Sequence, residues 1–167
     1  MTTAIQTRMF SNERDTKSQN KKYTVQKYRL TYVKERTNFN RIKIVNRTDV
    51  ADFCKQFLSS IPVENVCIIG LDNGNNIIGY DTIEGATNQC AVYPSNVFRF
   101  LLGSAATSFI IAHNHPGGSV RPSEADWQIT ERLQSAGKML ELPLLDHLIV
   151  TENDCISMRD NSRWNTK

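Results

Sequence analysis

Residues 109–118, which read FIIAHNHPGG, decide where a buried strand of this chain ends and a loop begins. The apolar residues up to position 112 are typical of a buried strand, and the Pro-Gly-Gly that follows does not permit regular structure. His113 and His115 therefore lie where a strand ends and a loop begins. Side chains of an extended segment alternate, so a spacing of two places both imidazoles on the same side.

Ser123 and Asp126 follow this loop at the predicted start of a helix. Two imidazoles and one carboxylate are a common protein contribution to a catalytic zinc ion, which predicts His113, His115 and Asp126 as metal ligands. A serine three residues before an acid is also the pattern of a capping box at a helix start. Both interpretations remain open, and they are compatible with each other.

Working outward, helix and strand patterns alternate, which predicts a single α/β domain with a mixed sheet flanked by about three helices. The Asn-Gly pair at 73–74 predicts a hairpin. We expect Gly137 to disturb the end of the third helix and Pro143 to end it. The predicted N-caps are Thr48, Ser95 and Ser123, and the predicted strands are 25–33, 42–45, 66–71, 76–80, 106–112, 144–150 and 155–158.

Composition limits the chain to one sizeable core, since it has 167 residues of which 40% are hydrophobic. No apolar run approaches the roughly 20 residues that span a bilayer. The first five residues, MTTAI, lack the apolar core of a secretory signal, so we expect a cytoplasmic protein. The four cysteines are scattered without a CxxC pair, which argues against a zinc ribbon or a disulfide scaffold.

Charge is distributed unevenly along the chain. Residues 1–47 hold twelve Lys/Arg against three acids, a net +9, and residues 48–167 hold eight against fourteen, a net −6. A basic segment of this kind could contact nucleic acid phosphates, but a solvated tail followed by an exposed strand is the simpler explanation, and we put it first. We predict that residues 1–22 form a disordered polar arm.

The spacing His113-x-His115, seven residues, Ser123-x-x-Asp126 resembles the JAMM motif of the JAB/MPN metalloproteases. The flanking sequence is similar to the RadC branch of that family, over about residues 23 to 160. The segments that carry this similarity are IAHNHP at 111–116, PS at 122–123, AGK at 136–138 and LDHLI at 145–149. Members of that branch often carry a helix-hairpin-helix region before the JAB domain, and we expect this chain to be a short form without it.

The resemblance implies one zinc ion per chain held by His113, His115 and Asp126. It also implies that Ser123 hydrogen-bonds the bound water or the oxyanion, and that a glutamate on an earlier strand acts as general acid/base. Aligning the second strand of the hairpin with the family places Asp81 near that position, with Glu84 three residues later. We therefore predict Asp81 or Glu84 as the catalytic carboxylate.

These expectations define the function predicted from sequence: a zinc-dependent hydrolase that cleaves an amide or isopeptide-like bond in a peptide or protein substrate. The alternative is a zinc-holding interaction domain of low or no activity, associated with DNA as the RadC name suggests. His147 is predicted to lie in the core or beside a metal ligand, oriented by Asp146. The predicted boundaries are an arm at 1–22, the domain at 23–160 and a tail at 161–167.

Overall fold

The structure is a computed structural model and describes residues 42–58, 62–84 and 92–165. The predicted arm at 1–22 and the predicted strand at 25–33 lie outside the described residues. The described part confirms the predicted α/β class, with three α-helices and one five-stranded mixed sheet.

The sheet has the strand order β2-β1-β3-β4-β5. The predicted hairpin is confirmed, because β1 and β2 pair antiparallel on either side of the Asn-Gly turn. β1 also pairs antiparallel with β3, β3 pairs parallel with β4, and β4 pairs antiparallel with β5. The strands are β1 (Asn65–Leu71), β2 (Ile77–Glu84), β3 (Ser108–Asn114), β4 (Leu144–Val150) and β5 (Cys155–Ser157).

Alternate residues of the buried strands face two separate apolar layers. Cys67, Ile69 and Ile110 pack on one face against the apolar side of α1 (Arg47–Leu58). Their neighbours Ile68 and Ile111 pack on the other face against α2 (Pro94–Gly103) and α3 (Glu124–Met139). His113 follows Ile111 by two residues, so its side chain lies on the face that α3 covers.

The starts of the first two helices differ from their sequence-based prediction. Asn46, not Thr48, caps α1, since its Oδ1 accepts hydrogen bonds from the backbone N–H groups of Thr48 and Asp49 at 2.8 and 3.2 Å. α2 begins at Pro94, because proline is well suited to the first position of a helix, where its missing N–H needs no partner. Residues 42–45, predicted as a strand, form only an isolated bridge between Lys43 and Asn76.

α3 continues to Met139, so the prediction that Gly137 disturbs its last turns is wrong. A Cβ atom at Gly137 would lie 2.4 Å from the carbonyl oxygen of Leu142. Glycine therefore lets the returning chain pass close to the helix and enter β4. Its role is close packing, which the sequence pattern alone does not distinguish from helix breaking.

Part of the predicted tail contacts and stabilises the start of α3. Arg163, in a short 3-10 turn at Ser162–Asn165, makes two hydrogen bonds of 2.7 Å to the carboxylate of Glu124. Its guanidinium also lies over the ring of Trp127, 5.1 Å from the centroid. These contacts hold the first turn of α3, which carries Asp126, against the end of the chain.

Among the described residues, none of the helices has both the length and the apolar character needed to cross a membrane.

Candidate metal centre

The two histidines of the HxH segment converge as their spacing predicts. His113 is the penultimate residue of β3 and His115 follows the strand directly. Their Nε2 atoms lie 2.9 Å apart, and the His113 side chain is buried. The backbone N–H of His115 donates to the carbonyl of Val150, so β4 holds this end of β3 in extended form.

Asp126 reaches the same point from α3. Its Oδ1 lies 3.2 Å from Nε2 of His113 and its Oδ2 lies 3.6 Å from Nε2 of His115. The loop at 116–122 thus folds back and brings the helix start to the strand end, as expected from the sequence.

The capping interpretation of Ser123 and Asp126 is confirmed as well. The backbone N–H of Asp126 donates to Oγ of Ser123 at 3.2 Å, and the backbone N–H of Ser123 donates to Oδ2 of Asp126 at 2.6 Å. The capping box orients the carboxylate, and its other oxygen faces His113. One residue therefore caps the helix and contributes to the cluster.

A fourth side chain completes the group, and sequence reasoning missed it. Glu64 lies just before β1, and its carboxylate joins His113, His115 and Asp126 in a set of ligand atoms within 4.8 Å of one another. We call these four residues the His–carboxylate cluster. The register explains the position of Glu64. Val66 pairs with His113 in an antiparallel ladder, so the residue two before Val66 lies opposite the residue two after His113. Glu64 therefore comes opposite His115 on the same face of the sheet.

Asn114 holds the backbone around Glu64. Its side-chain amide donates to the carbonyl of Val63 at 3.0 Å, and its Oδ1 accepts from the backbone N–H of Asn65 at 2.7 Å. The residue between the two histidines thus anchors the chain on both sides of Glu64. Its side chain extends the pairing of β1 with β3 past the last residues of the ladder.

The predicted catalytic carboxylates lie elsewhere. Asp81 is exposed on the edge strand β2, where it pairs with Ile68, and Glu84 is exposed opposite Asn65. Two strand spacings, about 10 Å, separate β2 from β3. Neither side chain belongs to the His–carboxylate cluster, and the structure brings Glu64 to that position instead. A catalytic role for Asp81 or Glu84 stays a prediction without geometric support.

The cluster lines a cavity of 260 Å³ that also includes Ser123. Ser123 is exposed, and its hydroxyl oxygen already accepts the capping hydrogen bond, which leaves its own proton available to a molecule in the cavity. The remaining lining residues are Val66, Val92, Ile111, Ala125, Ile129 and His147.

The electrostatics of the cluster favour an ionised Asp126. Burial opposes its charge, but hydrogen bonds with His113, His115 and Ser123 outweigh that cost, and the pKa of the carboxyl lies well below its usual range. The hydrogen bond to Asp126 in turn raises the pKa of His115 above its ordinary value.

The chemistry of the donor set fits a metal ion. Nδ1 of His115 lies 2.6 Å from the carbonyl oxygen of Ser119, which can only accept, so Nδ1 carries the proton and Nε2 of the neutral ring offers a lone pair. That lone pair faces a carboxylate and a second imidazole, so the site needs either a proton or a cation between them. Two imidazole nitrogens and carboxylate oxygens are ligands that suit zinc.

His147 lies behind His113, as predicted, but Asp146 does not orient its ring. Asp146 accepts from the backbone N–H of His147 at 2.7 Å, whereas the ring nitrogens lie 2.8 Å from Nδ1 of His113 and 2.6 Å from Oγ1 of Thr130. Complete burial lowers the pKa of His147 well below its ordinary value, which keeps the ring neutral.

A sequence model of the RadC-like JAB domain matches residues 44–163. The chain belongs to this family. The predicted resemblance is therefore confirmed, and the match covers the three α-helices and five strands found among the described residues and the complete His–carboxylate cluster.

Relatives of this RadC-like JAB domain are bacterial proteins named UPF0758 protein. The one from Finegoldia magna is 43% identical over 108 residues, which are 64% of this chain and 48% of the relative. Those from Chlorobaculum tepidum and Clostridium perfringens are 35% and 38% identical, over 72% and 74% of this chain and 55% of each relative. The chain thus spans about half the length of these curated relatives.

Proposed function

We propose that this RadC-like JAB domain is a zinc-dependent hydrolase that cleaves an amide or isopeptide-like bond. The observation that carries this proposal is the presence of a second carboxylate, Glu64, in the same cluster as His113, His115 and Asp126. Metal-dependent hydrolysis needs ligands and, separately, a group that moves protons, and the four residues supply both.

His113, His115 and Asp126 are the proposed ligands of one zinc ion per chain. When bound, zinc lowers the pKa of its water to about 7 and polarises a carbonyl oxygen. The capping box fixes the Asp126 carboxylate, and the carbonyl of Ser119 fixes the tautomer of His115. Both contacts orient the ligands in the absence of metal, which raises the expected affinity for zinc.

Glu64 is the proposed general base in place of Asp81 or Glu84. It takes a proton from the attacking water and passes it to the nitrogen of the leaving amine as the amide bond breaks. Glu64 is half-buried beside the cavity and its backbone is held by Asn114. Ser123 donates a hydrogen bond from its hydroxyl to the oxyanion that forms as water adds to the carbonyl.

The size of the cavity favours a peptide or protein as substrate. At 260 Å³ it is smaller than the 300–1,000 Å³ that is typical of pockets that enclose a whole small molecule. A segment of a longer chain that presents one bond to the cluster fits this space better. Cytoplasmic location is part of the proposal, and the free thiols of Cys54, Cys67 and Cys155 support it.

The alternative functions have weaker support. A zinc-holding interaction domain without turnover would be the better account if the cluster had no carboxylate besides Asp126, and Glu64 supplies one. Association with DNA depends on the basic residues 1–47, most of which lie outside the described residues.

The test compares zinc content and hydrolysis in the wild type, Glu64→Gln and Asp126→Ala. Zinc is measured by elemental analysis, and hydrolysis by mass spectrometry of a randomised peptide library. We expect one zinc per chain in the wild type and in Glu64→Gln, and loss of zinc in Asp126→Ala. Glu64→Gln should retain its metal yet lose about 10²- to 10⁴-fold in rate, because its amide cannot accept the proton.

Glu141→Gln is the matched control, since Glu141 is an exposed acid at the opposite end of the sheet. Wild-type protein without zinc would contradict the metal site. Zinc-loaded wild type that cleaves no peptide, or Glu64→Gln with unchanged rate, would contradict the hydrolase and leave the interaction domain as the better account.

A further inference from the structure

Three consecutive hydrogen bonds run from His113 into the core. Nδ1 of His113 lies 2.8 Å from Nε2 of His147, and Nδ1 of His147 lies 2.6 Å from Oγ1 of Thr130. Oγ1 of Thr130 in turn lies 2.6 Å from the backbone carbonyl oxygen of Asp126. His113, His147 and Thr130 are each 1% exposed, so water does not compete for these contacts.

Each of the two contacts between ring nitrogens and their partners holds one proton, and neutral rings allow two arrangements of these protons. In the inward arrangement each donor points away from the cluster: His113 Nδ1–H to His147, His147 Nδ1–H to Thr130, and the Thr130 hydroxyl to the carbonyl of Asp126. Nε2 of His113 then keeps its lone pair for a metal. In the outward arrangement Thr130 donates to His147, His147 donates to His113, and Nε2 of His113 carries a proton that blocks a metal.

The contact between Thr130 and the carbonyl of Asp126 favours the inward arrangement. Two oxygen atoms 2.6 Å apart need a proton between them, because their lone pairs otherwise repel. The carbonyl has no proton to give, so the Thr130 hydroxyl must donate it. Thr130 lies one helical turn after Asp126, the position from which a threonine hydroxyl bonds the carbonyl four residues earlier.

We propose that Thr130 and His147 are positioning residues that fix His113 in the Nδ1–H tautomer and so keep its Nε2 free to bind the metal. This inference rests on the proposed metal site. The usual partner of a metal-binding histidine is a carboxylate or a carbonyl, whose role as acceptor is fixed. Here the partner is the imidazole of His147, which can adopt either neutral tautomer. The hydroxyl of Thr130 determines which of the two tautomers His147 adopts.

Thr130→Val tests this role because valine keeps the volume and branching of threonine but lacks the hydroxyl. Without its acceptor, His147 gains by moving its proton to Nε2, which faces Nδ1 of His113 and forces the His113 proton onto the metal-binding nitrogen. We expect the affinity for zinc, measured by competition with a chromogenic chelator, to fall about 10- to 100-fold. Thr130→Ser should restore it. Thr107→Val, at the far end of β3, is the matched control and should bind zinc like the wild type.

A second measurement reports the tautomers directly. The chain has only three histidines, so ¹⁵N–¹H correlation spectra of their rings can be assigned completely. In the wild type, with or without zinc, we expect His147 to be protonated at Nδ1, and in zinc-free Thr130→Val we expect it to be protonated at Nε2. This comparison does not depend on activity, and the wild-type spectrum does not depend on a variant that folds.

The outcomes separate this inference from the proposed function. Thr130→Val with wild-type zinc affinity, or zinc-free wild type with His147 protonated at Nε2, overturns the positioning role and leaves the zinc site intact. Wild type that takes up no zinc overturns both.

Discussion

Replacing Asn114 with alanine should weaken both the fold and the chemistry, by removing the side chain that holds the chain around Glu64. The variant takes away the acceptor of the Asn65 N–H and the donor to the carbonyl of Val63. Asn65 is buried, so loss of the partner to its N–H costs about 1–3 kcal/mol. Val63 is exposed, so water replaces the lost donor, and the loss of this hydrogen bond adds little to the cost in stability.

The free energy of unfolding of Asn114→Ala should therefore fall by about 1–3 kcal/mol, as measured by urea denaturation. Hydrogen exchange at the Asn65 amide should speed up locally. Turnover should fall about 10²-fold, because a displacement of about 1 Å in a catalytic group has that effect. Zinc content should stay at the wild-type level, because the histidine rings lie on the other face of β3.

Asn114→Asp separates the two contacts, since it keeps the acceptor for Asn65 but replaces the donor to Val63 with an oxygen and adds a charge at a buried position. Hydrogen exchange at the Asn65 amide should therefore stay closer to the wild-type rate than in Asn114→Ala. Asn96→Ala, an exposed position on α2, serves as the control. Equal stability and equal turnover for Asn114→Ala and the wild type would refute the reasoning, whatever their zinc content.

The remaining predictions concern Gly137 and the carboxylates of β2. Gly137→Ala should lower the melting temperature, because a Cβ 2.4 Å from the backbone oxygen of Leu142 costs about 1–3 kcal/mol and outweighs a gain of about 1 kcal/mol in helix propensity. Gly117→Ala, with nothing in the described part of the chain within 4 Å of the added carbon, should leave it unchanged or raise it slightly. Asp81→Asn and Glu84→Gln should both retain wild-type rates on the peptide library, and a loss comparable to that of Glu64→Gln would return the general base to β2.

The convergence of the three proposed metal ligands could be predicted from the sequence because it depends on local rules. His113 and His115 share a side through the alternation of a strand, and Asp126 follows within one loop at a recognisable helix start. The buried strands, the hairpin and the third helix follow from equally local patterns. The whole ligand set lies within 14 residues of chain, so no long-range pairing was needed to assemble it.

Glu64 could not be predicted in the same way, because its position depends on which strand lies beside β1. The hairpin connection indicates β2 as a neighbour of β1, and Asp81 and Glu84 are the acids that β2 offers. The second neighbour, β3, is more than forty residues away in sequence, and only the register of Val66 with His113 shows that Glu64 meets His115. The sequence offered one signal for Glu64, an acid two residues before the first apolar residue of a strand. Without that register, the signal does not distinguish a residue of the cluster from an ordinary surface acid.

The helix boundaries show a second limit. Asn46 and Thr48 are both good capping residues, and the sequence does not say which of them has its side chain near the free N–H groups. Gly137 shows a third limit of sequence-based prediction. A glycine in a helix is expected to destabilise the helix unless the close approach of the Leu142 backbone is known.

The closeness of the ligands along the chain has a consequence for local unfolding. A metal ion bound to His113 and Asp126 acts as a cross-link that closes a short loop, and it stabilises only states in which β3 and the start of α3 are together. Removing zinc should therefore loosen the loop at 116–122 and the first turn of α3 before the hairpin of β1 and β2 opens. Hydrogen exchange would show this as a cooperative unit confined to that stretch of chain.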